Sequence, residues 1–229
     1  MLGITFWHQP IYRLDTYTVI GYEWLTRWAG DDTADPLWAW AAQHRQIPAL
    51  EAWILDQLAQ WRGQVRSPDG LWFVNLHPQG VVSTMMAEGD RWRAWLHHLD
   101  PVVWELLEVP GWPSDVLDQL ARWHATCALD DWGDHREAVM RLVEWPVQWI
   151  KIDGILTRRL DHPAMQQWMQ WFGQYAVHAY RQIILEGIET ADQLAMAHDL
   201  QIPWGQGFYL GRPKRWKTVA WQSALSYQP

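Results

Sequence analysis

CALDD (127–131), WIKID (149–153) and QIILEG (182–187) are three short apolar runs, each ending in or beside a charged side chain. Amphipathic stretches separate them, 135–145 before the second run and 155–177 before the third. Strands of this kind joined by crossover helices are parallel. Reading outward adds strands at 4–13 (ITFWHQPIYR), 19–28 (VIGYEWLTRW), 71–77 (LWFVNLH), 102–108 (VVWELLE) and 205–210 (GQGFYL). Further helical patterns fall at 49–62, 113–124 and 191–200. The turn around Asp15–Thr18 is too short for a crossover helix, so the first two strands are antiparallel. Eight strands with intervening helices in 229 residues predict an α/β fold, a (β/α)8 TIM-like barrel with one antiparallel strand, the first, spanning 1–229 as one domain. A doubly wound open sheet is the alternative, but no Gly-rich phosphate loop supports it.

Composition narrows the function. Hydrophobic residues are 49% and charged residues 19%, which excludes a disordered chain. The net charge of -8 argues against duplex nucleic acid as a partner. One cysteine excludes a disulfide framework and a multi-cysteine zinc site, and Cys127 reads as a buried core thiol. The N-terminus MLGITFWHQP lacks the cationic start of a signal peptide, and no apolar run approaches the ~20 residues of a membrane span. A cytoplasmic protein with no membrane partner is expected. His97–His98 reads as a solvated helix C-terminus, and no serine sits in a G-x-S-x-G elbow. The 21 tryptophans either replace other large apolar residues in the core or form stacking platforms for bases or sugars.

In such a barrel, reactive groups sit at the C-terminal ends of the strands. Here those ends carry Glu23, Asn75, Glu105, Asp130 with Asp131, Lys151 with Asp153, Glu186 and Gln206. So many carboxylates on one rim repel one another unless something cationic compensates. Convergent oxygens suit hard divalent cations such as Mg²⁺ or Mn²⁺. The adjacent Asp130 and Asp131 could bridge two metals about 4 Å apart, the arrangement used for in-line phosphoester cleavage. Lys151 is one of three lysines and the only one outside the C-terminal GRPKRWK stretch. Flanked by Trp149, Ile150 and Ile152, it does not read as a surface lysine; an ion pair to Asp153 or a neighbouring carboxylate is its simplest role.

These residues carry a resemblance. HQPI (8–11), EWLTR (23–27), VNLH (74–77), ELLE (105–108), DDWGDH (130–135), IKID (150–153), LEGIE (185–189) and QGF (206–208) before RP (212–213) follow in order. In this the chain resembles the EAL-domain cyclic-di-GMP phosphodiesterases over nearly its whole length. The resemblance implies that Glu23, Asn75, Glu105, Asp130 and Asp131 ligate a two-metal Mg²⁺ or Mn²⁺ site. Glu186 would join the metal and water network, and Lys151 and Gln206 would position or polarise the attacking water. Glu108 would brace the loop after Asp131. Gln9, Leu25, Arg27 and Asp153 would contact the dinucleotide, Arg27 offering a fork of donors to phosphate.

Several positions depart from the family pattern. Trp24 replaces a small alanine beside a metal ligand, and His77 stands where serine is usual. After the paired aspartates, Asp134 and His135 replace Thr and Gly, and REAV replaces YSSL. The changed loop implies a weakly held second metal. The expected function is hydrolysis of cyclic-di-GMP to linear pGpG. The alternatives are a cyclic-di-GMP receptor with little or no turnover and a protein-interaction module on the same barrel. The family's loop also implies a homodimer contact; any regulation is expected to come through a protein partner or through expression.

Overall fold

The computed structural model describes residues 2–62, 64, 69–107, 111–133 and 138–221. Strand β1 (Leu2–Arg13) turns back into β2 (Thr18–Trp28), antiparallel as expected, with Gln9 opposite Glu23 and Thr5 opposite Arg27. Helices α1 (Asp35–Gln43) and α2 (Ile47–Arg62) lead to β3 (Leu71–Leu76). Next come α3 (Pro78–Ala87), α4 (Gly89–His98), β4 (Val102–Leu106), α5 (Ser114–Arg122) and β5 (Cys127–Trp132). The second half runs α6 (Ala138–Glu144), β6 (Trp149–Ile152), α7 (Gly154–Thr157), α8 (Pro163–His178), β7 (Gln182–Leu185) and α9 (Ala191–Asp199). It ends with β8 (Trp204–Gly205) and β9 (Lys214–Trp221). Strands β2 to β8 pair in parallel, and β1 closes the ring, antiparallel to both β2 and β8. The result is the TIM-like barrel.

Three differences from the sequence reading have physical causes. The stretch 205–210 is a strand only at its first residue, because the chain then folds back onto Ile188. Tyr209 N–H donates to the Ile188 carbonyl at 3.0 Å, and Ile188 N–H donates to the Gln206 carbonyl at 3.1 Å. The helical stretch 155–177 is two helices. Pro163 cannot continue a preceding helix but fits a first turn, and His162 caps α8 by accepting from the Ala164 N–H at 3.2 Å. Strand β9 was hidden because the cations of KRWKTVAW mask its alternation. It extends the sheet beyond β1, pairing with that strand's first half.

The tryptophans mostly fill the space between sheet and helices. Trp72, Trp92 and Trp104 are completely buried, and Trp132 of β5 stacks on Phe172 of α8 with ring centres 4.3 Å apart. Among the described residues Trp171 is the exception, 61% exposed. Cys127 is buried as expected, and burial pushes its thiol up to about 12.

Among the described residues, one acid lies in this outer core. Glu51 of α2 is 1% exposed, and its Oε1 accepts the backbone N–H of His77 at 2.6 Å. Burial pushes its carboxyl from the usual 4.5 up to about 8. Between those values the folded chain holds a proton that the unfolded chain has released. The contribution of this group to stability is therefore fully present below pH 4.5 and is lost as pH rises towards 8, by at most about 1.4 kcal/mol per pH unit. The nearest titratable group on the facing segment, the half-buried His77 ring, is itself lowered by burial. Glu51→Gln is expected to flatten this part of the profile. Denaturant titrations at pH 5 and pH 8 check it; equal pH dependence in variant and wild type contradicts it.

Candidate active site

The interior of the barrel is built in layers. Ile11, Phe73, Val103, Ala128 and Ile184 form an apolar plug. Because strand side chains alternate with period two, the next inward residues are Asn75 after Phe73, Glu105 after Val103, Asp130 after Ala128 and Glu186 after Ile184. Trp149 and Trp204 pack beneath this plug, and two residues beyond them stand Lys151 and Gln206. Glu23 joins from β2, opposite Gln9. An apolar floor thus carries a polar layer at the C-terminal rim.

Lys151 occupies the centre of that layer and is 1% exposed. Its Nζ lies 2.7 Å from Asp130 Oδ1, 2.7 Å from Glu105 Oε1, 3.0 Å from Glu186 Oε1 and 3.5 Å from Glu23 Oε2. The expected pairing with a neighbouring carboxylate holds four times over. Asp153 is not among the partners: its carboxylate caps α7, accepting from the Ile155 N–H at 2.8 Å. Burial opposes the lysine's charge, but Asp130, Glu105, Glu186 and Glu23 together outweigh it and raise its pKa well above the usual value. Glu105 and Glu186 are held well above the ordinary carboxylate range, by burial first and despite Lys151. Gln206 donates to Glu23 Oε2, and Asn75 Nδ2 donates to Glu23 Oε1 at 3.3 Å.

Asp131 needs a local distortion. Successive strand residues point to opposite faces, yet the β5–β6 register slips between Leu129 and Trp132, and Asp131 adopts φ +51°. This left-handed conformation is uncommon for a residue other than glycine. With it, Asp130, Asp131 and Glu186 each offer an oxygen within 4.8 Å of the others. The Asp130 charge, and then burial, push the Asp131 carboxyl up to about 7.

The remaining sequence candidates line the rim or fall elsewhere. Gln9, 8% exposed, donates to the Gly211 carbonyl at 3.0 Å. Leu25 and Arg27 continue the inward face of β2 beyond Glu23, and the Arg27 guanidinium sits 5.0 Å above the Trp7 ring. Trp7 was missed, although its spacing from Gln9 in β1 was a usable signal. Trp24 lies on the opposite face from Glu23 and packs on Trp72 with ring centres 4.4 Å apart, so its bulk enters the outer core and not the pocket. His77 does the work of a capping serine, accepting from the Gln79 N–H at 3.2 Å. Glu108, Asp134 and His135 lie outside the described residues.

The donor set fits a hard cation. Carboxylates outnumber the central ammonium, and among the described residues the buried Glu105 Oε2 and Gln206 Oε1 have no hydrogen-bond partner. Such orphaned oxygens are costly unless a cation or donor meets them. The fold and this cluster define a barrel protein with an oxygen-rich site at the C-terminal rim.

The chain belongs to the EAL domain family, whose sequence model matches residues 3–213. It is 25% identical over 227 residues to the cyclic di-GMP phosphodiesterase RocR of Pseudomonas aeruginosa, covering 90% of this chain and 56% of that protein. It is 24% identical over 225 residues to the probable cyclic di-GMP phosphodiesterase PdeN of Escherichia coli, covering 90% of this chain and 42% of that protein. The chain spans less than two thirds of these relatives, and 30% of the biofilm architecture maintenance protein MbaA of Vibrio cholerae. Among solved structures, the PaMucR phosphodiesterase in complex with c-di-GMP superposes with a TM-score of 0.78 at 24% identity, covering 92% of this chain and 96% of that one. Klebsiella pneumoniae BlrP1 with calcium and cy-diGMP gives 0.80 at 21% identity, covering 93% and 56%. At these identities the superpositions establish the fold. No helix among the described residues is long and apolar enough to cross a membrane.

Proposed function

We propose that this chain hydrolyses one phosphodiester bond of cyclic-di-GMP to linear pGpG, with Mg²⁺ or Mn²⁺ held by Glu23, Asn75, Glu105, Asp130 and Asp131. The observation that carries the reading is the excess of carboxylates around Lys151, with unpartnered buried oxygens beside it. When bound, the cations supply charge for a phosphoryl oxygen and a more acidic water. The chain's residues do the rest. Lys151 Nζ holds and polarises the attacking water, and Gln206 orients Glu23 while its own Oε1 faces that water. Glu186 accepts the water's hydrogen bond. Arg27, supported by Trp7, grips a phosphate, while Gln9, Leu25 and Asp153 flank the dinucleotide and Glu108 braces the loop after Asp131.

The second reading, a receptor with little turnover, is favoured by Asp134 and His135, which replace Thr and Gly of the family motif. Calorimetry with cyclic-di-GMP and Ca²⁺ separates both readings from an interaction module: wild type binds. Arg27→Ala is expected to lose a charge-assisted hydrogen bond of about 1.5–3 kcal/mol, roughly ten- to a hundredfold in affinity. Wild type without binding contradicts enzyme and receptor alike.

A further inference from the structure

The buried acid on α2 is tied to the rim through the backbone. Asn75 ends the inward row of β3, and two residues later His77 opens α3. The His77 N–H precedes the first turn of α3, so the helix itself does not use it; it donates to Glu51 Oε1 at 2.6 Å. The His77 ring is held from two further sides, by the Gln79 N–H at 3.2 Å and by Trp38, stacked at 6.0 Å and 16°. Helix α3 approaches the acid closely at Gly80, where a methyl would collide with Glu51 Oε2 and displace the carboxyl. That second oxygen has no hydrogen-bond partner among the described residues. Packing alone does not explain the choice, since leucine or methionine would fill the site without burying an acid. The gain left to explain it is the acceptor that Glu51 Oε1 presents to the β3–α3 junction.

We infer that Glu51 is a positioning residue for the metal centre, clamping the His77 backbone and so fixing Asn75 against Glu23. This rests on the metal reading of the site. The clamp acts through a short covalent path, His77 to Leu76 to Asn75, and from there through the Asn75–Glu23 hydrogen bond. Loss of the acceptor lets the end of β3 shift, and the ligand oxygens lose their common geometry. Supporting groups beyond the ligands commonly change metal affinity by about 10–100-fold.

The test is calorimetric titration of Mn²⁺ into the full chain without substrate, with thermal unfolding recorded for each variant. Glu51→Met is expected to bind Mn²⁺ about tenfold more weakly than wild type. Glu51→Gln, whose amide oxygen still accepts the His77 N–H, restores wild-type affinity. Gly80→Ala, which pushes the acid off the junction while suiting a helix, weakens Mn²⁺ as Glu51→Met does, and stands in for it if the latter does not fold. Leu55→Ala, a cavity in the same helix, lowers the melting temperature and leaves Mn²⁺ affinity unchanged. Wild-type affinity in both Glu51→Met and Gly80→Ala, or an equal loss in Leu55→Ala, overturns the clamp. Absence of Mn²⁺ binding in wild type is a separate outcome that overturns the metal reading and the clamp with it.

Discussion

Asp130→Asn is expected to leave the barrel folded and to abolish the proposed conversion of cyclic-di-GMP, a loss of at least about 10²–10³-fold, the scale for removing one preorganised charge-stabilising group. The substitution keeps the side chain's shape and one oxygen. It removes the charge that pairs with Lys151 at 2.7 Å and takes a carboxylate from the group that also contains Asp131 and Glu186. Glu23→Gln has the same outcome, because Glu23 receives Gln206 and Asn75 together. Circular dichroism checks the fold and chromatography of pGpG checks turnover. Wild-type rate with unchanged metal dependence in either variant contradicts the ligand assignment.

Lys151→Met has the largest effect on stability. The lysine and Glu105 are both completely or almost completely buried, and four carboxylates lie within 3.5 Å of its Nζ. Removing the cation leaves those charges without their partner, which in buried pairs costs about 3–5 kcal/mol. Glu105 and Glu186 already sit well above the ordinary carboxylate range, and without Lys151 they rise further. A raised folded-state pKa means stability lost as pH increases, so the defect in the variant deepens from acidic to neutral pH. Mn²⁺ at a hundred times its dissociation constant returns about 2.7 kcal/mol. Thermal unfolding with and without Mn²⁺ at two pH values measures this. A metal-free variant as stable as wild type contradicts the account of the polar layer.

What was legible in the sequence is explained by period two. Asn75, Glu105, Asp130, Lys151, Glu186 and Gln206 each stand two places beyond an inward apolar residue, so an apolar run ending in an acid places that acid at the top of the barrel, and the family motifs fall on those positions. The short turn at Asp15–Thr18 likewise fixed the sense of β1. Lys151 was conspicuous because lysine is scarce here and its neighbours are apolar, though its partners across the barrel could not be told apart by spacing. The left-handed turn at Asp131 was hidden because strand alternation predicts the opposite face. Glu51 was hidden because its partner is a backbone N–H, which every sequence offers everywhere. Trp24 misled because neighbouring residues of a strand serve different cores: Glu23 faces the pocket, and Trp24 packs in the outer core on Trp72 and Trp216.

The most direct test is to incubate the wild-type protein with cyclic-di-GMP and Mn²⁺ or Mg²⁺, and to follow nucleotides by chromatography. With metal, pGpG is expected to accumulate, and a chelator is expected to stop it. Cyclic-di-GMP that stays intact with saturating metal, while calorimetry shows it bound, would contradict the hydrolytic claim and leave the receptor.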